Sequence, residues 1–299
     1  MKYVLRSTLL IDCLTAELSS QEFEQARSAR RALVSGFGFE EIFDHFLSNY
    51  LEIEMQCLAA SAQRLVRDGG SYADFYQRRA PINLAVVNFL SAARLYVDQV
   101  DSKVSASFYG TAGPQRHAKI LLAREYDAAF EYRFVEALRN HVQHSGTAVH
   151  ILNTSWHNSP PSELQETEVR TTVFCDRRSI AEDKKFKKRV LAECPPEVNL
   201  LDAVRQYVMS ISAVHRELRQ AVEPSQEAAQ DRIQSIQALL ANECEGAPDA
   251  LVAVAIDETG RELESVPLLL VWEEVRQSLR DRNGGLHAVR THIANRGQA

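Results

Sequence analysis

The 299-residue chain has no C-x-x-C pair. Its five cysteines, Cys13, Cys57, Cys175, Cys194 and Cys244, are scattered and odd in number, which excludes a disulfide framework and a thiolate zinc site and leaves most of them as small core residues. No run reaches the roughly 18 uninterrupted apolar residues a bilayer requires. The longest, such as VPLLLVW at 266–272, are core-sized, so no membrane association is expected. The N-terminus MKYVLRSTLLIDCLTAE is interrupted by Arg6 and Asp12, and no small-residue cleavage site follows, so the expected address is cytoplasmic. There is no glycine-rich phosphate loop, no G-x-S-x-G elbow and no cysteine-centred nucleophile motif. Excess positive charge is also missing. With a formal net charge of −6, any contact with nucleic acid must come from a local basic patch.

What is present is a composition that is 45% hydrophobic and 25% charged, enough apolar residues for a large core, and helical periodicity over long segments. Ser19 with Glu22 forms a capping box opening a helix towards Val34. A break is expected at Gly36 and Gly38. After it, Phe39, Ile42, Phe43, Phe46, Tyr50, Ile53 and Leu58 trace the stripe of a second helix ending near RDGGS. A third helix is expected from about Pro81, and a fourth over roughly 115–145, closed by Gly146 as a left-handed cap.

The period then changes. TAVHILNTSWH and EVRTTVFCDRR, separated by the turn-forming NSPPSE, predict a β-hairpin inserted at about 147–180. Asn199 caps a further helix, Pro224 opens another running to about Glu245, and strand–turn–strand–helix follows, with DETG as the turn and a basic tail after it. The fold expected is mainly α. A helical domain over 1–245 carries the inserted hairpin, and residues 246–299 form a small α/β C-terminal appendage beyond the boundary EGAPD.

The densest chemistry lies in EALRNHVQHSG, residues 136–146. The pattern Arg-Asn, three residues, His occurs here as Arg139, Asn140 and His144, and again in RNGGLH as Arg282 to His287. In the first copy the residues sit on a packed helix flanked by Phe134, Val135, Leu138 and Val142. Asn140 and His144 stack on one face with Arg139 alongside. In the second copy, Gly284 and Gly285 break the helix between Arg and His. The first copy is therefore the candidate site.

FVEALRNHVQHSG resembles the signature of HEPN domains, all-α proteins in which an Arg, a polar residue and a His close a core helix. The resemblance covers this motif and its helical context from about residue 20 to 245. It implies a HEPN-like helical bundle and a metal-independent endoribonuclease of the toxin–antitoxin or antiviral-defence kind, with RNA as substrate, no cofactor, and an active site shared across a homodimer. An antitoxin or other regulatory protein is a further implied partner.

The residues permit that chemistry independently. His144 can act as acid or base at cellular pH, Arg139 can pair two phosphate oxygens, and Asn140 can orient either. Two plainer readings stand beside it. Arg139 and His144 also suit a helix C-terminus simply as cations, and the module can be a non-catalytic binder of nucleotide or protein. Arg177 and Arg178, with Lys184, Lys185, Lys187 and Lys188 in KKFKKR, form the densest basic cluster and suit a phosphate backbone, or a solvated face. His141, His144, His150 and His157 fall close together, but without a carboxylate or cysteine at ligand spacing they predict no metal site.

Overall fold

The computed structural model describes residues 1–8, 15–67, 70–111, 113–114, 116–158, 167–241 and 251–284. Its chain is mainly helical, 69% helix, with two small antiparallel sheets. Two compact units form. One comprises Met1–Asp44, Asp98–Lys119 and the described residues from His215 on, the other His45–Val97 and Ile120–Val214.

The first unit is built on a four-stranded sheet. Strands β1 (Lys2–Ser7), β2 (Thr15–Leu18), β6 (Leu251–Ile256) and β7 (Glu262–Pro267) lie in the order β2-β1-β6-β7. Lys2 pairs with Ile256 and Ser7 with Leu251, so segments some 250 residues apart share one ladder. One sheet face presents Leu5, Leu251, Ala253 and Ala255. They pack with Phe23, Ala26, Ala29 and Leu33 of helix α1 (Ser20–Val66) and Ile233, Ile236 and Leu240 of helix α7 (Leu200–Ala241).

Residues 251–282 are therefore not a separate appendage: their two strands complete a sheet begun by β1 and β2, which the sequence pattern did not reveal. The expected boundary at 245–249 lies outside the described residues. The DETG turn is as expected. Asp257 accepts from the amides of Thr259 and Arg261, and Gly260 takes a φ of +82°, where a side chain would be strained.

Helix α1 begins at the predicted capping box, with Ser19 N–H donating to Glu22 (2.8 Å) and Glu22 N–H to Ser19 Oγ (3.1 Å). It does not break at Gly36 and Gly38. A Cβ at Gly36 would lie 1.9 Å from Gln226 Oε1, and one at Gly38 2.7 Å from Lys103 Nζ. These glycines make room for close packing inside one continuous helix. Two prolines are likewise interior. Helix α2 (Tyr72–Ala106) contains Pro81, and α7 contains Pro224. The start of α2 is set by a box earlier in the chain, where Ser71 N–H donates to Asp74 (3.1 Å) and Asp74 N–H to Ser71 Oγ (3.2 Å). Each proline costs its helix one backbone hydrogen bond.

In the second unit Phe46, Phe89, Tyr96, Tyr132 and Tyr207 form an aromatic core, with Tyr132 and Tyr207 centroids 4.6 Å apart. The Tyr207 hydroxyl donates to Glu136 (2.8 Å), and Arg205 grips Glu54 through two bonds of 2.7 and 2.8 Å. The expected fourth helix is two, α3 (His117–Ala128) and α4 (Phe130–His144), divided at Ala129, whose backbone is extended.

Strands β3 (Ile151–Asn158) and β4 (Thr167–Asp176) pair as the hairpin predicted, Thr154 opposite Thr171, and β5 (Glu197–Asn199) adds a third strand to β4. Asn199 caps α7, accepting from Leu201 N–H (3.1 Å). Short helices α5 (Arg177–Ala181) and α6 (Lys188–Glu193) lie between β4 and β5, and α8 (Val271–Arg282) follows β7.

Cys57, Cys175 and Cys194 are buried free thiols; Cys13 and Cys244 lie outside the described residues. By composition, α2 is the one described helix long and apolar enough to cross a membrane. Its Ile82, Val86, Phe89, Leu90, Tyr96 and Val100 are buried inside the protein.

Candidate functional site

Helix α4 buries Phe134, Val135, Ala137, Leu138 and His141. At about 100° per residue, the opposite arc of roughly 140° carries Arg139, Gln143, Asn140 and His144. Arg139 donates from Nη2 to Asn140 Oδ1 (2.5 Å) and from Nη1 to Gln143 Oε1 (3.1 Å), which fixes its guanidinium along the helix. Its Nε is enclosed without a hydrogen-bond partner. His144, the last residue of the helix, is exposed and makes no hydrogen bond among the described residues. The structure thus puts the three predicted residues on one face: Arg139 and Asn140 in contact, His144 one turn further on.

Gly146 closes the helix differently from the expectation. Its φ is not positive, and its N–H and that of Ser145 both return to His141 O, at 3.2 and 2.8 Å. Glycine is needed there because a Cβ would stand 2.8 Å from His141 Nε2.

His141, weighed in the sequence only as one of four close histidines, has a structural partner. Its Nδ1 lies 3.0 Å from Asp183 Oδ2, with both side chains almost wholly buried. Asp183 sits in the turn between α5 and α6. The Lys185 amide (2.9 Å to Oδ1), then His141 and the Ser145 hydroxyl, hold its carboxyl below the usual range. Phe186, buried in the same turn, meets the His141 ring edge-on at 6.2 Å. Close by, His150 accepts from Asp176 N–H (3.3 Å). Burial, with help from His141 and Arg79, pushes its pKa down, so it is neutral near pH 7. Arg79, from α2, donates to Val149 O (3.3 Å). No local signal links His141 to Asp183, 42 positions away.

Asp183 stands inside the predicted basic cluster. Arg177 and Arg178 open α5, Lys184 and Lys185 follow Asp183 in the turn, and Lys187 and Lys188 start α6; all six are exposed. Lys187 donates to the Tyr126 hydroxyl (3.2 Å) and lies over its ring. Arg133 of α4 binds Glu193 of α6 (2.6 Å). The basic segment is thus tied to α4 through Asp183 and Glu193, and to α3 through Tyr126.

No family model, characterised protein or solved structure matches the chain.

The chemistry of the site rests on its own residues. The second copy of the motif is differently placed: Arg282 pairs with Asp44, as does Asn283 (2.9 Å), and His287 lies outside the described residues. Among the described residues no group of three or more His, Cys, Asp or Glu is placed to hold a metal ion. What the arc on α4 offers is a permanent, planar cation held in place, an amide beside it, and an imidazole free to approach a ligand.

Proposed function

We propose that the protein is a metal-independent endoribonuclease with a HEPN-like helical bundle, acting as a toxin-like or antiviral-defence effector. The observation that carries this reading is the arc shared by the half-buried Arg139 and Asn140 and the exposed His144 at the end of α4, tied through His141 and Asp183 to an exposed basic segment. RNA enters along Arg177, Arg178, Lys184, Lys185 and Lys188, whose charges pair with backbone phosphates.

His144 takes the proton from a ribose 2′-OH as that oxygen forms a bond to the adjacent phosphorus. Arg139 stabilises the added charge on the phosphorane oxygens, and Asn140 orients the guanidinium. The bond to the 5′ oxygen then breaks, and that oxygen takes a proton. Each chain supplies one such histidine, so His144 of a second copy is the acid, and the working site is shared by two chains.

The test is incubation of purified protein with RNA in EDTA. The expected products carry 2′,3′-cyclic phosphate and 5′-OH ends, and Arg139→Ala or His144→Ala slows cleavage by at least about 100-fold. A magnesium requirement, or full activity in both variants, would overturn this assignment and place the chemistry at other residues.

A further inference from the structure

On α4 the residues Tyr132, Glu136, Asn140 and His144 stand four apart and form one row along the helix, at steps of about 6 Å. Tyr132 is buried, Glu136 and Asn140 are half-buried and His144 is exposed, so the row is covered at one end and open at the other. Tyr207 of α7 makes the covered end. Its ring packs on Tyr132, centroids 4.6 Å apart, and its hydroxyl donates to Glu136 Oε1 (2.8 Å). A carboxylate is thus held in place inside the arc that carries Arg139 and Asn140. Arg139, three residues on, turns its guanidinium the other way, to Asn140 and Gln143.

An acceptor for the Tyr207 hydroxyl needs only one carbonyl oxygen, which glutamine would supply. A carboxylate brings a second oxygen, and it accepts only. It repels phosphate, which therefore belongs at the Arg139 end of the row. What it attracts is a pair of neighbouring N–H donors. Single-stranded RNA offers its bases by their Watson–Crick edges, and guanine alone presents two donor groups there side by side, N1–H and the 2-amino group. Adenine, cytosine and uracil present one.

We propose that Glu136 is the base-recognition residue of this site and accepts the Watson–Crick edge of a guanine whose 3′ phosphate lies at Arg139 and whose 2′-OH faces His144. Glu136 precedes Arg139 by about 4.5 Å and His144 by about 12 Å along the helix, so base, phosphate and proton acceptor follow in order. The proposal rests on the ribonuclease reading of α4 and adds to it that cleavage falls on the 3′ side of guanosine.

Calorimetric titration of the full chain with guanosine, inosine and adenosine 3′-phosphates tests recognition without any cleavage. The parent should bind guanosine 3′-phosphate at least about 10-fold more tightly than adenosine 3′-phosphate, with inosine, which lacks the 2-amino group, in between. Glu136→Gln keeps an acceptor for Tyr207, so it should melt like the parent and lose the preference. If that variant failed to fold, the comparison of the three nucleotides on the parent would decide. A parent that does not separate guanosine from adenosine or from inosine, one that binds none of the three, or a folded Glu136→Gln that still prefers guanosine overturns the proposal. Guanosine preference in a protein that cuts no RNA would instead overturn the ribonuclease reading and leave Glu136 recognising a nucleotide.

Discussion

His141 and Asp183 bind each other across 42 positions of sequence at 3.0 Å, both nearly buried, so the last turn of α4 is clamped to the turn that carries the basic cluster. Two histidines three residues apart on α4 thereby have opposite duties. His141 holds the helix end in place, while His144 is left exposed at the surface.

That division predicts a separation of stability from activity. His141→Ala should cost about 2–4 kcal/mol, because it removes a buried ring and strands a carboxylate. His144→Ala, at an exposed position, should stay within about 0.5 kcal/mol of the parent while abolishing cleavage. Denaturant melts of the two variants beside an RNA cleavage assay check this; equal destabilisation by both would contradict it.

In cells, overexpression of the parent should slow growth. His144→Ala should relieve the inhibition, while His287→Ala should remain as inhibitory, since Arg282 of that second copy is already engaged with Asp44. Growth curves of the three strains decide which copy acts.

Lys184, Lys185 and Lys188 should supply affinity for RNA without sequence preference. Changing all three to Ala should weaken binding of single strands and lower the slope of log affinity against log salt by roughly 2, at about 0.7 for each phosphate no longer neutralised. Titrations at several salt concentrations measure the slope; an unchanged slope would leave the cluster as a solvated face.

Stability should fall on acidification for a reason rooted in the first unit. His215 is stacked between Phe39 and Phe43, at 4.2 and 3.8 Å, and burial pushes its pKa down to about 4. Burial alone would raise the carboxyl of Glu40, but hydrogen bonds from His215 and Arg219 outweigh it and hold it at about 2. Between pH 6.5 and 4 the unfolded chain protonates this histidine and the folded chain does not, so stability present at pH 7 is lost as pH falls, on the order of 3 kcal/mol. Glu40 adds a further loss between 4.5 and 2. His215→Phe should flatten the upper part of the curve, read as unfolding free energy against pH. An unchanged slope would show that His215 protonates freely in the folded chain.

Gly36→Ala should destabilise by about 1–3 kcal/mol, although alanine favours a helix by about 1 kcal/mol. The added methyl meets the Gln226 amide, which cannot swing away without losing its bonds to Ala32 O (3.1 Å) and Ser107 O (2.6 Å). In a Gln226→Ala background the same change should become neutral or stabilising; a double-mutant cycle shows whether the two positions are coupled.

The features legible in the sequence are those whose causes are local. The Ser19–Glu22 box, the Asn199 cap, the Asp257–Gly260 turn and the β-branched and aromatic runs that predicted β3 and β4 each depend on residues a few positions apart, and the helical period of α4 placed Arg139, Asn140 and His144 close together on one side of the helix. The rest depended on partners far along the chain. Gly36, Gly38, Pro81 and Pro224 carry the same local signal whether they end a helix or lie inside one. Burial of long apolar faces and the closeness of Gln226 and Lys103 kept α1, α2 and α7 continuous. Strand β1 pairs on one side with the nearby β2, but its longer ladder is with β6, some 250 positions away, so only closure of the sheet completed its pairing. The chemistry on α4 is written in its own residues. Only the tertiary structure could decide that His141 is spoken for by Asp183, because a side chain's role is set by what packs against it, and that information is not local.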